Sequence, residues 1–169
     1  YICSKLSTAI AAGCTTVIKP SEMSAHQTEL ILECLHEANL PKGVVNIVNG
    51  LGEIVGAEIS KNSDIAKISF TGSTNIGKII AKEAVNTMKR VTLELGGKSP
   101  NIILDDADFS KAIPLAISAA FMNNGQACIA GSRLLIPENE LEEAKLLIKE
   151  TVSKLIVDDP KNPNTNIEV

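Results

Sequence analysis

IAKISFTGSTNIGKIIAKEAVNTMKRVTLEL, residues 65–95, decides the fold. It reads as a strand over 65–70, a turn at Thr71-Gly72-Ser73-Thr74, a helix from about 75 to 86, and a strand over 90–95 broken by Gly96-Gly97. A strand–helix–strand unit is the signature of a parallel sheet covered by helices.

The same alternation extends towards the N-terminus. KLSTAIAA (5–12) has helical composition and stops at Gly13, a C-cap. CTTVI (14–18) is short and β-branched, a buried strand ended by Lys19-Pro20. Ser24 with Gln27 forms a capping box, opening a helix with Leu30, Ile31, Cys34, Leu35 and Ala38 on one face. VVNIV (44–48) is a strand closed by Asn49-Gly50, and a helix follows over about 52–60.

Beyond residue 97 the character shifts. PNIIL (100–104) is a strand, and Asp108 suits the N-cap of an apolar helix over 109–122, in which Pro114 predicts a kink. NNGQACIAGSR (123–133) is a small-residue loop, LLI (134–136) a strand, and 138–156 an amphipathic helix. The Pro/Asn-rich tail DDPKNPNTNIEV reads as a loop. The whole is an α/β chain, and in such sheets ligands bind at the carboxyl ends of the strands. That rule singles out Lys19-Pro20-Ser21-Glu22, Thr71-Gly72-Ser73-Thr74 and Glu94-Leu95-Gly96-Gly97.

Composition excludes several classes. The 169 residues are 44% hydrophobic, enough for a packed core and too many for a disordered chain. With 16 basic against 20 acidic residues, net −4, nothing suggests a phosphate-backbone groove. One Tyr, three Phe and no Trp leave no base-stacking surface. No apolar run approaches the roughly 20 residues of a membrane span. Cys3, Cys14, Cys34 and Cys128 contain no CxxC pair, so no metal site is expected, and reduced thiols in a cytoplasmic setting are. Cys14 and Cys34, inside apolar periodic segments, read as small core residues.

Cys128 alone lies in a polar, Gly-rich loop. It is either an incidental thiol or a nucleophile whose neighbouring glycines let backbone N–H groups approach a reacting atom. Glu94, ending an apolar strand, is either a general base or a solvated strand end. Lys19 and Glu22 suit two hydroxyls of a ribose, donating and accepting respectively; a turn with exposed charges fits equally. Gly72-Ser73-Thr74, between strand and helix, favours a phosphate, although Gly72 and Gly77 alone do not make a GxGxxG fingerprint. His26 and His36 have no partner pattern and read as surface or packing residues.

Four segments in order, IKPSE (18–22), FTGST (70–74), ELGGKSP (94–100) and GQACIAGSR (125–133), resemble the aldehyde dehydrogenase superfamily over nearly the whole chain. The resemblance implies an NAD(P)-dependent oxidation of an aldehyde to an acid through a cysteine thioester. Cys128 matches the nucleophile and Glu94 the base that activates water. Lys19 and Glu22 match contacts to the adenosine ribose, and Ser73, beside Gly72, the contact to the pyrophosphate. Leu95 and Gly96 border the nicotinamide. The fold implied is a Rossmann-like cofactor domain, partly present in 1–95, and the start of a second α/β catalytic domain in 96–169.

Family members are considerably longer, so the chain reads as the middle of an enzyme, inactive if isolated, whose complete form is a cytoplasmic homodimer or homotetramer. NAD is the expected cofactor, with NADP as the alternative. A CoA-acylating relative and a silent dinucleotide-binding module are the competing functions. Glu94 favours hydrolysis over transfer to CoA, which needs no water-activating base.

Overall fold

The computed structural model describes residues 2–168; Tyr1 and Val169, the outer ends of the two expected domains, lie outside the described residues. The chain divides into two compact units, 1–94 and 95–169.

In the first unit, α1 (Ile2–Ala11) ends where the sequence stops it. Gly13 takes a left-handed φ of 72°. The Gly13 and Cys14 N–H groups donate to the carbonyls of Ile10 and Ala9, a Schellman closure that needs this conformation. β1 (Thr16–Ile18) pairs in parallel with β2 (Val45–Ile47), and α2 (Gln27–Glu37) forms the crossover between them. A π-helical turn, Gly52–Gly56, runs into α3 (Ala57–Lys61). β3 (Lys67–Gly72) and β4 (Arg90–Leu95) pair in a second two-stranded sheet, with α4 (Thr74–Val85) between them in sequence. Gly77, Ile80, Ala81 and Ala84 form the inward face of α4, at the i, i+3, i+4, i+7 spacing of an amphipathic helix.

The second unit pairs β5 (Pro100–Ile102) in parallel with β6 (Arg133–Leu135). α5 (Phe109–Phe121) and α6 (Leu141–Ser153) close the core, which contains Ile103, Phe109, Ile113, Ala116, Ile117 and Ala144. Asp108 caps α5 as expected, its carboxylate accepting from the Ser110 N–H. The helix runs on through Pro114, which is exposed and leaves the carbonyl of Ser110, also exposed, without its helical donor.

Four expectations change. The capping box is absent: Ser24 ends a 3-10 turn (Glu22–Ser24) capped by Ser21, and α2 starts after His26 without a side-chain cap. The inward face of α2 is Thr28, Ile31 and Leu35, so Leu30 is 63% exposed and Ala38 lies open. Cys14 and Cys34 are exposed rather than core residues, as are Cys3 and Cys128, and Val17 leaves β1 only half covered at 43% exposure. The tail is not only loop. β7 (Val157–Asp158) and β8 (Ile167–Glu168) pair in parallel, because Asn166 Oδ1 accepts from the Ile156 N–H while its own N–H donates to the Ile156 carbonyl. Among the described residues the strands form four two-stranded sheets.

Ile113 is 0% exposed, so Ile113→Ala is expected to cost about 2–5 kcal/mol, read as a lower denaturant midpoint at unchanged slope. Cys14→Ser and Cys34→Ser should stay within about 0.5 kcal/mol of the parent. Hydrogen bonds from Ser110, then Lys111, hold the Asp108 carboxyl below the usual carboxylate range. A depressed folded-state value stabilises above the unfolded pKa and loses that effect as pH falls through the folded one. Asp108→Asn should therefore flatten the acid limb of a stability-versus-pH curve.

Candidate active site

The candidate residues fall into two sets, one in each unit. In the first unit the parallel β1–β2 pair brings two strand exits to one edge, where the Val48 N–H donates to the Ile18 carbonyl. Lys19 bridges those exits. Its ammonium donates to the carbonyls of Pro20 and Gly50, the latter at 3.2 Å, and reaches Glu22 Oε2 at 3.3 Å. The Lys19 side chain is only 15% exposed, while Glu22 lies open. All three ammonium protons thus have acceptors, and Glu22 keeps Oε1 for a ligand. The Glu22 carboxyl is held below the usual range, first by its own backbone N–H and then by the Lys19 ammonium. At neutral pH it is a carboxylate.

Gly72 ends β3 and Ser73 caps α4, its hydroxyl accepting from the Ile76 N–H at 3.3 Å. Among the described residues the N–H groups of Thr74 and Asn75 then have no acceptor, which leaves two donors at the positive end of a 12-residue helix. At Gly72 a Cβ would lie 2.4 Å from the Phe70 ring, so a side chain there would force that ring to move. These features fit a dinucleotide: free N–H donors for its pyrophosphate and a fixed carboxylate for a diol. The alternation of β4 puts Glu94 on its open face with Arg90 and Thr92, and Leu95 on the inner face.

In the second unit the parallel β5–β6 pairing places the two strand entries side by side. The Arg133 N–H donates to the Ser99 carbonyl and Arg133 Nε to that of Lys98 at 2.7 Å. Cys128 lies five residues ahead of β6, in a turn closed by the Ala130 N–H donating to the Ala127 carbonyl. Ser99 Oγ donates to the Cys128 carbonyl at 3.5 Å, and a Cβ on Gly97 would lie 3.6 Å from that oxygen. Gly131 backs onto Asn101, where a Cβ would approach within 2.9 Å. The N–H groups of Cys128 and Ile129 donate to nothing among the described residues. An exposed thiol thus sits beside two free donors on a pinned turn, an arrangement suited to a developing oxyanion. Gly96 lies in open space.

Sequence reasoning missed the Gly50 carbonyl, Ser99, Asn101, and Lys5, whose ammonium donates to Thr71 Oγ1 at 2.7 Å. A lone lysine in an apolar helix carries no sequence signal. Gly97 and Ser99 had one, in the segment ELGGKSP. No group of three or more metal-ligating side chains occurs among the described residues. A shallow, largely apolar groove of about 460 Å³ between β5 and α5, lined by Asn101, Ile103, Leu104, Leu115 and Ala119, contains none of the sequence-predicted site residues.

The sequence model of the aldehyde dehydrogenase family matches residues 1–168. A 3-succinoylsemialdehyde-pyridine dehydrogenase from Pseudomonas sp. is 43% identical over 98% of this chain and 35% of its own length. The structure of a cysteine-to-alanine mutant of aldehyde dehydrogenase C from Pseudomonas syringae, complexed with NAD+ and octanal, superposes with a TM-score of 0.92 at 47% identity, over 96% of this chain and 34% of that one. An NADP-dependent enzyme of E. coli gives 0.91 at 36% identity, over 96% and 34% respectively. The chain spans about a third of the length of these relatives.

Ser73→Ala should cost about 1 kcal/mol of stability by removing the α4 cap. Ser73→Asp should restore that stability, yet weaken dinucleotide binding by placing a carboxylate where the pyrophosphate would lie. Thermal denaturation and cofactor titration separate the two effects.

Proposed function

The chain belongs to the aldehyde dehydrogenase family, and on that premise we propose that it carries the cofactor-binding and nucleophilic core of an enzyme that oxidises an aldehyde to a carboxylic acid with NAD. The observation that carries the reading is the Cys128 turn, an exposed thiol beside the free N–H groups of Cys128 and Ile129. Residues 1–95 are the cofactor-binding part and 96–169 the opening of the catalytic part.

The Cys128 thiolate adds to the aldehyde carbon, and the N–H groups at the turn receive the oxyanion. NAD, when bound, would supply the acceptor for the hydride that leaves this carbon, so that the acyl group stays on the Cys128 sulfur as a thioester. Glu94 takes a proton from water; the water oxygen adds to the thioester carbonyl, and departure of the thiolate releases the acid. Lys19 and Glu22 would hold the adenosine ribose. Ser73 and the start of α4, beside Gly72, receive the pyrophosphate, and Leu95 and Gly96 border the nicotinamide. Glu94 argues against transfer of the acyl group to CoA. The free cysteines support a cytoplasmic setting, and assembly as a homodimer or homotetramer completes the proposal.

In the full-length protein, Cys128→Ala should abolish aldehyde oxidation while NAD still binds. Glu94→Gln should give a rapid burst of about one NADH per site followed by slow turnover, because acylation survives and hydrolysis does not. Unchanged steady-state turnover in either variant overturns the assignment.

The Glu22 carboxylate would face the extra phosphate of NADP, with Lys19 partly offsetting the repulsion. NAD should be preferred roughly tenfold or more in kcat/KM, since like charges at close range repel strongly. Glu22→Gln should narrow the gap mainly by improving NADP, a change read from kcat/KM for both cofactors.

A further inference from the structure

We propose that Asn124 is a positioning residue for Cys128, its side chain mooring the left-handed turn that precedes the thiol to the C-terminal strand pair. The inference rests on the reading of Cys128 as the nucleophile.

Asn123, Asn124 and Gly125 follow α5 with φ of 53°, 58° and 72°, three successive left-handed residues. Such a run is unfavourable for residues with a Cβ and persists only where neighbours over-determine it. Asn123 Nδ2 donates to the Gln126 carbonyl at 3.2 Å, a link within the turn itself. Asn124 provides the link outward: its Oδ1 accepts from the Glu168 N–H at 3.1 Å, across 44 positions of sequence. Glu168 lies in β8, which the Asn166–Ile156 hydrogen bonds fasten to β7. A continuous set of hydrogen bonds thus runs from β7–β8 to a residue four positions before Cys128.

The other flank of the thiol is fixed separately, by Ser99 on the Cys128 carbonyl and by Gly131 packed on Asn101. Without the Asn124 link the upstream flank is held only by bonds local to the turn. The free N–H groups of Cys128 and Ile129 then lose their fixed direction. Asn and Asp combine tolerance of left-handed φ with a side-chain acceptor of this reach; Gly shares the tolerance and lacks the acceptor.

The test compares Asn124→Gly with Asn124→Asp in the full-length protein. Iodoacetamide alkylation is followed at each cysteine by mass spectrometry, with exposed Cys3, Cys14 and Cys34 as internal references. Asn124→Gly should slow Cys128 alkylation and lower kcat by on the order of three- to ten-fold, with the KM for NAD and the reference thiols unchanged. Asn124→Asp should restore both. Cys128 alkylation at the parent rate in Asn124→Gly, or an Asp variant as impaired as the Gly one, overturns the proposal. If the parent oxidises no aldehyde while Asn124→Gly still slows Cys128 selectively and Asp restores it, the positioning role stands and the proposed function falls. If the reference thiols also change in Asn124→Gly, Asn166→Ala decides. It loosens the strand pair without touching the turn and should slow Cys128 alone; no effect there overturns the proposal.

Discussion

Parallel pairing is the constraint from which the site residues take their places. Two parallel strands cannot be joined by a hairpin, so each pair needs a crossover, and both strands enter at one end and leave at the other. In the β1–β2 pair this brings the exits together, so the Lys19 ammonium spans from Pro20 to the Gly50 carbonyl. In the β5–β6 pair it brings the entries together, so residues 97–99 lie against the turn that carries Cys128. One geometric rule thus produces an acceptor-rich exit in the first unit and a pinned entry in the second.

The two places differ in how they handle polar groups. At the β1–β2 exit the cation is already saturated: three acceptors meet the Lys19 ammonium, and a ribose hydroxyl would have to exchange with one of them. Glu22 is held ionised by its own backbone N–H and by Lys19, and keeps a free oxygen. At the Cys128 turn and the start of α4 the balance is reversed, with N–H groups left without acceptors among the described residues. An anion or oxyanion would satisfy them without the protein reorganising, the condition under which fixed dipoles stabilise developing charge most effectively.

Elements whose pattern repeats over many residues are legible in the amino-acid sequence alone. RVTLEL predicts β4 and its bounds, and the segments from about 75 to 86 and over 109–122 predict the helices α4 and α5. The Gly13 stop and the Asp108 cap are legible too, because each rests on one residue's local chemistry. Local chemistry also misleads. Ser24 with Gln27 has the spacing of a capping box, but Ser21 starts a 3-10 turn first and Ser24 falls at its end. Cys14 and Cys34 sit in apolar segments, yet helical rotation and the shortness of β1 leave both exposed. The tail strands carry no sequence signal because each has two residues, too few to show a period, and they depend on Asn166 reaching back ten positions to Ile156.

The sequence by itself determined the alternation of helix and strand, the family, and the identities of the candidate residues Lys19, Glu22, Ser73, Glu94 and Cys128. Each of these is written in short segments whose meaning does not depend on distant parts of the chain. Only the tertiary structure decided what stands beside them. Ser99 on the Cys128 carbonyl, Asn101 behind Gly131, Gly50 on Lys19 and Glu168 on Asn124 join residues 29 to 44 positions apart. The rule that ligands gather at carboxyl ends of strands points to Lys19 and Ser73; it does not point to Cys128, which lies in the loop that leads into the amino end of β6. Which end a loop occupies, and what it leans on, follows from strand direction and from the pairing of remote segments. No window of sequence short enough to carry a motif contains that information.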